Sequence, residues 1–131
     1  MVKFSLIIPC YNEGAGLINL INRCSEAFAD CQDIEIIFVN NGSSDNTEEI
    51  LAENITAPWM RSIKVKKNIG YGNGILQGLK IATGEMIGWT HADLQTDPAD
   101  LLKAIEIYRS SPQKNLFLKG KREGRSFVDV F

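Results

Sequence analysis

The residues best suited to chemistry lie in one polar segment, HADLQ at residues 91–95. The segment follows a short apolar run, residues 86–89, that predicts a buried strand. Asp97 and Pro98 come next and predict a helix start, with a side-chain oxygen at the N-cap and proline at the first helical position. Ligands of open α/β sheets bind at the carboxyl ends of strands. A carboxylate, an imidazole and an amide placed there can hold a hard cation or a phosphate ester, whereas the simpler alternative is capping of an ordinary turn.

Two further polar loops also follow apolar runs that predict buried strands. Residues 3–8 are almost continuously apolar, as in a strand buried on both faces of a parallel sheet, and Pro9 is expected to end that strand. The loop CYNEG at residues 10–14 then leads into a helix. Residues 34–39 predict the second strand, which ends at the polar turn NNGSSD at residues 40–45. Each loop therefore comes at the carboxyl end of a strand.

The side chains of these two loops each admit two interpretations. Glu13 either favours the helix N-terminus electrostatically or hydrogen-bonds the ribose or base of a ligand. Asn40 and Asn41 either close an Asx turn or meet the edge of a nucleobase, since an amide donates and accepts together. Asp45 and Glu48 fit a capping box for the helix that follows.

The rest of the chain continues the alternation of strands and helices. Residues 60–65 predict a third strand at the sheet edge, and a glycine-rich segment, residues 68–74, precedes a helix over residues 75–82. The glycines indicate a close approach of the backbone to a ligand or a neighbouring strand. Residues 115–119 predict a fifth strand. Three basic residues beyond it either grip phosphates or form a solvated turn: Lys121, Arg122 and Arg125.

The composition is that of an ordinary globular domain, with 44% hydrophobic residues, 23% charged residues and a net charge of −2 in 131 residues. This balance argues against a nucleic-acid partner, which normally selects a basic excess. No apolar run approaches the ~18 residues that span a bilayer, and no signal-peptide layout precedes the first strand. Cys10, Cys24 and Cys31 form no CxxC pair and indicate reduced thiols in a cytosol-like compartment.

Strand–helix alternation predicts a parallel sheet with helices on both faces, so that all three polar loops fall on one edge of the sheet. In this order and spacing, the sequence resembles the family 2 glycosyltransferases of the GT-A fold. The resemblance is strongest to the branch of polyisoprenyl-phosphate sugar synthases such as dolichol-phosphate mannose synthase. The segments that carry it are SLIIPCYNE at 5–13, NNGSSD at 40–45, NIGYG at 68–72 with Gly78 and Gly84, and ADLQ at 92–95 with Pro98.

The resemblance implies an α/β, Rossmann-like, mostly parallel sheet with a strand order of about 3-2-1-4. It also implies transfer of a sugar from a UDP- or GDP-sugar to a polyisoprenyl phosphate or a glycan, with Mg²⁺ or Mn²⁺ at the diphosphate. Carried over by position, the residues of the nucleotide site are Pro9, Tyr11, Glu13, Asn40, Asn41, Gly70 and Ala92. Asp93 and His91 are implied as catalytic residues and, together with Gln95, as the metal ligands.

Two departures from the family pattern bear on mechanism. Asn40 and Asn41 stand where the family usually has two aspartates, and His91 replaces the first carboxylate of an Asp-x-Asp motif. One carboxylate fewer weakens the binding of Mg²⁺ or Mn²⁺, which favour oxygen ligands. His91 is then a replacement ligand, a donor to phosphate, or the mark of a site without metal. A catalytically inactive nucleotide-binding or scaffolding domain is the alternative function, and a nucleotidyltransferase is a weaker one.

Family members generally continue well past residue 131, and the apolar C-terminus is typical of a cut chain. We therefore expect residues 1–131 to be a single donor-binding portion that lacks the acceptor part and has little activity alone. We expect the full-length protein to be cytoplasmic, at the inner face of a membrane, with membrane contact only through parts outside this sequence. An uncovered end of the sheet also allows a homodimer.

Overall fold

The computed structural model describes residues 2–113 and 115–119, which form two compact units. The first unit ends at Pro98 and the second begins at Ala99. In the second unit, the helix α4 spans Leu101–Ser110. The strand expected over residues 115–119 is not present there, because the structure has only a single β-bridge residue, Leu118. The predicted basic group of Lys121, Arg122 and Arg125 lies outside the described residues.

The first unit alternates strands and helices, as the sequence predicts. Its elements in chain order are β1 (Phe4–Cys10), α1 (Gly14–Ala27), β2 (Ile34–Asn41), α2 (Thr47–Asn54), β3 (Met60–Val65), α3 (Tyr71–Ile81) and β4 (Met86–Trp89). The four strands are parallel and lie in the order β3-β2-β1-β4. The predicted fold class and strand order are therefore confirmed, and β3 lies at the sheet edge as expected.

The two central strands are buried along their whole length, which explains their continuous apolar sequence. On one face, Ile7 and Val39 pack with Leu79 of α3. The other face is covered by α1 and α2, which contact each other, because their crossovers run across the sheet in the direction opposite to that of α3 and right-handed crossovers then place them on the opposite face. Helices thus cover both faces of the sheet. After β3, at one side of the sheet, the chain crosses back past β2 and β1 to form β4 next to β1.

Pro9 does not end the first strand, contrary to the sequence-based expectation, since β1 continues to Cys10. Alternate residues of a central parallel strand bond to opposite neighbours. The carbonyl of Ile7 accepts from Thr90 N–H at 3.1 Å, so the nitrogen of Pro9 faces the same side. The ladder with β4 has already stopped at the pair Ile7–Trp89. A missing N–H therefore costs no ladder bond at this position.

The buried carboxylate of Glu35 in β2 contacts β1, β3 and the segment that follows α3. It accepts hydrogen bonds from Ser5 Oγ at 2.7 Å, Thr83 N–H at 2.7 Å and Thr83 Oγ1 at 3.0 Å. Arg61 Nη2 lies 3.3 Å away and neutralises its charge. Burial by itself raises the pKa of Glu35, but the hydrogen bonds from Thr83 and Ser5 and the charge of Arg61 together hold the pKa below its ordinary value. The carboxylate is therefore ionised and fully engaged.

Replacing Glu35 with alanine is expected to lower the free energy of unfolding by about 3 kcal/mol, because buried donors then lose their acceptor. Urea denaturation followed by circular dichroism measures the change. The matched control is Glu53→Ala, because Glu53 is exposed on α2 and should change stability by less than about 0.5 kcal/mol. Equal effects of the two substitutions would show that the Glu35 contacts do not stabilise the fold.

Acid should remove the contribution of Glu35. Because its pKa in the folded protein is lower than its ordinary value of 4.5, the stabilisation is complete above that value and is lost as the pH falls through the lowered pKa. We expect wild type to lose more stability than Glu35→Gln between neutral pH and pH ~3, in the range where carboxylates titrate. Urea midpoints of both proteins at a series of pH values measure the difference, and parallel curves would contradict the prediction.

Cys10, Cys24 and Cys31 form no disulfide bond. Burial raises the pKa of Cys10 to about 12 and that of Cys24 to about 12, so these two side chains are unreactive thiols of the core. Among residues 2–113 and 115–119, no helix combines the length and the apolarity that crossing a membrane requires.

Candidate functional site

The loops that follow β1 and β2 are locked together by the side chain of Asn12. Its Oδ1 accepts hydrogen bonds from Ser44 N–H at 2.8 Å and Asp45 N–H at 3.2 Å. Its own N–H donates to Ser43 Oγ at 3.0 Å. Asn12 adopts a φ of 51°, in the left-handed region that asparagine tolerates better than most residues. The two loops therefore form one rigid pair at the carboxyl edge of the sheet.

Asp45 holds the N-termini of two helices at this edge. Its Oδ2 accepts from Gly14 N–H, the first residue of α1, at 3.0 Å. Its Oδ1 accepts from Thr47 N–H, the first residue of α2, at 3.0 Å. Hydrogen bonds from Thr47 and Gly14 lower the pKa of Asp45. The expected capping box with Glu48 does not form, because Glu48 turns to Lys64 instead, with Oε2 and Nζ 3.0 Å apart.

We expect Asp45→Ala to lower the free energy of unfolding by about 2 kcal/mol, because it removes the acceptor for two helix N-termini. Thermal and urea unfolding measure the loss. Asp30→Ala is the matched control, since Asp30 lies in an exposed turn between α1 and β2. A loss at Asp45 no larger than that at Asp30 would mean that the double cap does not contribute to stability.

The third loop begins where β4 ends at Trp89. Thr90 Oγ1 and Thr96 Oγ1 lie 2.9 Å apart and close the loop at its base. At its tip, Asp93 Oδ1 accepts from Gln95 N–H at 3.1 Å. Leu94 between them has a φ of 60°, which is uncommon for a residue other than glycine. Strained backbone of this kind is concentrated at functional sites, where the surrounding structure holds it.

The third loop meets the start of α3, where the ring of His91 stacks on that of Tyr71 with centroids 5.3 Å apart, and the charge of Asp93 in this loop acts on two nearby groups. Burial raises the pKa of Glu13, and the nearby charges of Asp93 and Asp45 raise it further. Burial and the charge of Asp93 also raise the pKa of Tyr71, the first residue of α3. Asp93 is thus close to both the first loop and the start of α3. The carboxylates give this part of the edge a negative potential that attracts cations.

The start of α3 is fixed by Asn41, which lies at the end of β2 and is 2% exposed. Asn41 Nδ2 donates to the carbonyl of Gly70 at 3.1 Å. Gly70 adopts a φ of 124°, a conformation that favours glycine. A Cβ at Gly74 would lie 2.9 Å from Asn41 Nδ2, so the helix backbone approaches this amide closely. Asn41 Oδ1 is buried and has no partner within the part of the chain that the structure describes.

The other residues implied for the nucleotide site differ in accessibility. Tyr11 is 49% exposed at the end of β1, whereas Pro9 and Ala92 are buried beneath the edge. Asn40 is 3% exposed, and its Oδ1 accepts from Ser43 N–H at 3.3 Å. This bond spans three residues, one more than an Asx turn, and it ties the side chain to its own loop as in the simpler of its two interpretations. The assignment of these residues to nucleotide binding stays a prediction.

Two features of the edge differ from the sequence-based interpretation. Asp97 does not begin an α-helix with Pro98. It accepts from Arg23 Nε at 3.0 Å and Nη2 at 2.9 Å, and Pro98 opens a short 3₁₀ helix. Tyr71 was not predicted as a site residue, although its position directly after Gly70 placed it beside a loop of the same edge. Its ring stacks on that of His91, with centroids 5.3 Å apart.

The donor set fits a divalent cation only in part. Across residues 2–113 and 115–119, no group of three or more His, Cys, Asp or Glu side chains could enclose a metal ion. Mg²⁺, however, is usually held by one or two carboxylates together with phosphate oxygens of a substrate. Asp93 supplies one such carboxylate. The site therefore suits a cation that arrives with a phosphorylated ligand better than a permanently bound one.

Comparison with known proteins relates most of the chain to one family. Residues 5–119 match the model of glycosyl transferase family 2. YkcC of Bacillus subtilis (strain 168), an uncharacterized glycosyltransferase, is 30% identical over 128 residues, which cover 96% of this chain and 40% of YkcC. Undecaprenyl-phosphate 4-deoxy-4-formamido-L-arabinose transferase of Yersinia enterocolitica is 37% identical over 111 residues, covering 80% of this chain and 33% of that protein. The chain thus spans between a third and two-fifths of the length of these relatives.

Solved structures share the fold at low sequence identity. S. aureus TarS 1–349 in complex with UDP-GlcNAc superimposes with a TM-score of 0.75 at 21% identity, covering 96% of this chain and 37% of the TarS chain. The mannosyltransferase PcManGT from Pyrobaculum calidifontis, in complex with GDP-Man and Mn²⁺, superimposes with a TM-score of 0.76 at 22% identity. It covers 92% of this chain, which corresponds to 36% of PcManGT. These structures support the GT-A architecture.

Proposed function

The chain belongs to glycosyl transferase family 2, and from this premise we propose that it forms the donor-binding portion of a sugar-transferring enzyme. The full-length protein would transfer a sugar from a nucleotide sugar to an acceptor, either a polyisoprenyl phosphate or a glycan. The observation that carries the proposal is the convergence of polar loops at the carboxyl edge: Asn12 joins the loops after β1 and β2, and His91 of the loop after β4 stacks on Tyr71 at the start of α3. Parallel sheets bind nucleotides at this edge.

The first loop is the proposed seat of the nucleoside. Tyr11 offers an accessible ring for a nucleobase. The backbone N–H of Glu13 donates to Thr47 Oγ1 at 3.1 Å, which holds this residue in place. The carboxylate of Glu13 can accept hydrogen bonds from ribose hydroxyls. Asn41 would contribute indirectly, because its hydrogen bond to Gly70 fixes the start of α3. The network of Asn12 and Asp45 keeps this surface preorganised, which reduces the entropy lost on binding.

Asp93 is the proposed carboxylate for a divalent metal, with His91 and Gln95 as neighbouring donors. Asp93, His91 and Gln95 would hold the ion, whose charge would stabilise the negative charge that develops on the leaving nucleotide. The Mn²⁺ in the PcManGT complex supports this assignment. The three side chains serve to orient the diphosphate, so that an acceptor oxygen can attack the anomeric carbon from the opposite side as the bond to the diphosphate breaks.

The chemistry of the donor and acceptor follows from the relatives. The bound UDP-GlcNAc and GDP-Man of the two solved structures support a UDP- or GDP-sugar donor. The undecaprenyl-phosphate transferase relative supports a lipid-phosphate acceptor and a role in cell-envelope synthesis. We propose a cytoplasmic site at the inner face of the membrane, in keeping with cysteines that form no disulfide bond. The homodimer stays a prediction.

Calorimetric titration of the chain with UDP-, GDP- and dTDP-sugars, with and without Mn²⁺, tests the proposal. We expect one nucleotide class to bind, and Mn²⁺ to strengthen its binding. A folded chain that binds none of these ligands under either condition would contradict a donor site. Circular dichroism of the same sample establishes that it is folded.

A nucleotide-binding domain without catalysis is the second candidate, favoured by the replacement of carboxylates at Asn40, Asn41 and His91. The two candidates differ in the full-length protein. An inactive wild type that gains sugar transfer in His91→Asp would support the binding domain. An active wild type that loses turnover in Asp93→Ala would support the enzyme.

A further inference from the structure

Tyr71 contacts His91 of the third loop. Its phenol ring stacks on the imidazole of His91, with centroids 5.3 Å apart and planes inclined by 20°. Separations of about 4.5–7 Å are typical of favourable aromatic pairs. The contact joins two segments distant in sequence, the start of α3 and the loop that carries Asp93.

The backbone at Tyr71 is held in place, because both the N–H and the carbonyl of the preceding residue, Gly70, form hydrogen bonds to side chains. Gly70 N–H donates to Asn68 Oδ1 at 2.8 Å. The carbonyl of Gly70 accepts from Asn41 Nδ2 at 3.1 Å, and Asn41 is buried at the end of β2. The central sheet therefore fixes the backbone from which the Tyr71 ring extends.

The His91 side of the contact belongs to a loop with several exposed residues. His91 is an exposed residue, and it is followed by buried Ala92 and exposed Asp93. The loop then passes through Leu94, whose left-handed backbone is held only by the surrounding structure. The bond between Thr90 and Thr96 closes this loop at its base, and the stack on the Tyr71 ring adds a contact from the exposed part of the loop to the start of α3.

We infer that Tyr71 is a positioning residue of the donor site: by stacking on His91, it fixes the third loop and orients Asp93. This inference rests on the proposed function. It assigns His91 a role that does not require contact with a metal ion, since its ring anchors the loop through its face. It also assigns the role to the ring of Tyr71, because stacking does not use the hydroxyl.

Nuclear magnetic resonance tests the contact directly, because His91 is the single histidine of the chain. Its ring protons give isolated signals that an adjacent aromatic ring displaces. We expect displaced signals in wild type and in Tyr71→Phe, and signals close to those of an exposed histidine in Tyr71→Leu. Undisplaced signals in the unliganded wild type would overturn the inference, whatever the protein binds.

Titration of the same proteins with UDP and with GDP, in the presence of Mn²⁺, tests the consequence for binding. We expect Tyr71→Phe to bind like wild type and Tyr71→Leu to bind about tenfold more weakly, a difference of about 1.4 kcal/mol. All variants should keep the melting temperature of wild type, because Tyr71 is 42% exposed. Leu76→Ala, at an exposed position of the same helix, is the control and should leave binding unchanged.

The outcomes separate this inference from the proposed function. Wild-type affinity in Tyr71→Leu, with the His91 signals released, would overturn the positioning role and leave the donor site intact. A loss in Tyr71→Phe equal to that in Tyr71→Leu would assign the effect to the hydroxyl and also overturn the role of the ring. Absence of nucleotide binding by wild type would overturn both the donor site and the role of Tyr71 in it.

Discussion

Replacing Asp93 with asparagine is expected to lower kcat/KM for sugar transfer by about 100-fold or more in the full-length protein. Asparagine has the same size, and its Oδ1 can still accept from Gln95 N–H, which Asp93 bonds at 3.1 Å. The loop should therefore keep its shape. What is lost is the charge that holds a cation against the donor diphosphate. Steady-state assays with UDP-GlcNAc and GDP-mannose as donors measure the loss.

Asp30→Asn is the matched control for this prediction. It removes one carboxylate from an exposed turn that precedes β2, at the opposite edge of the sheet. Its activity should equal that of wild type within about twofold, since exposed charges far from a site are screened. Wild-type kcat/KM in Asp93→Asn would show that this carboxylate has no part in catalysis.

Replacing Gly42 with alanine is expected to lower the free energy of unfolding by about 3 kcal/mol. Gly42 adopts a φ of 70°, a left-handed conformation that costs other residues about 1–2 kcal/mol. An added Cβ would also lie 2.3 Å from the backbone nitrogen of Asn68. The chain leading to α3 must then move, and overpacking of this kind costs about 1–3 kcal/mol. Urea denaturation measures the sum.

Gly16→Ala should have the opposite sign and is the control. Gly16 lies within α1, and a Cβ there would meet nothing within 4 Å. Alanine in a helix is favoured over glycine by about 0.5–1 kcal/mol, so this variant should be slightly more stable than wild type. If Gly42→Ala were as stable as Gly16→Ala, the tight contact between the second loop and residues 67–68 would not exist in solution.

The sequence was sufficient to predict the scaffold, because the relevant signals are local. Continuous apolar runs marked β1 and β2 as buried strands, and the polar segments after β1, β2 and β4 marked one functional edge. The order of these motifs indicated the family, which the match over residues 5–119 confirms.

The contacts that shape the site were not predictable in the same way. Asn12 and Ser44 are 32 residues apart, and they bond only because the crossover through α1 returns the chain to the same edge. Asp45 followed by Glu48 fits a local capping rule, yet Asp45 serves two helices that sequence spacing does not relate. The stack of Tyr71 on His91 likewise depends on where β3 and β4 end in the sheet. Side-chain partners across loops follow from tertiary geometry, which no local pattern contains.

The most direct test of the central claim is a crystal structure of the chain grown with Mn²⁺ and either UDP or GDP. We predict electron density for the nucleotide at the carboxyl edge of the sheet, with the nucleoside against the loop that follows β1 and the diphosphate beside Asp93. A nucleotide bound on another surface, or a diphosphate remote from Asp93, would contradict this prediction.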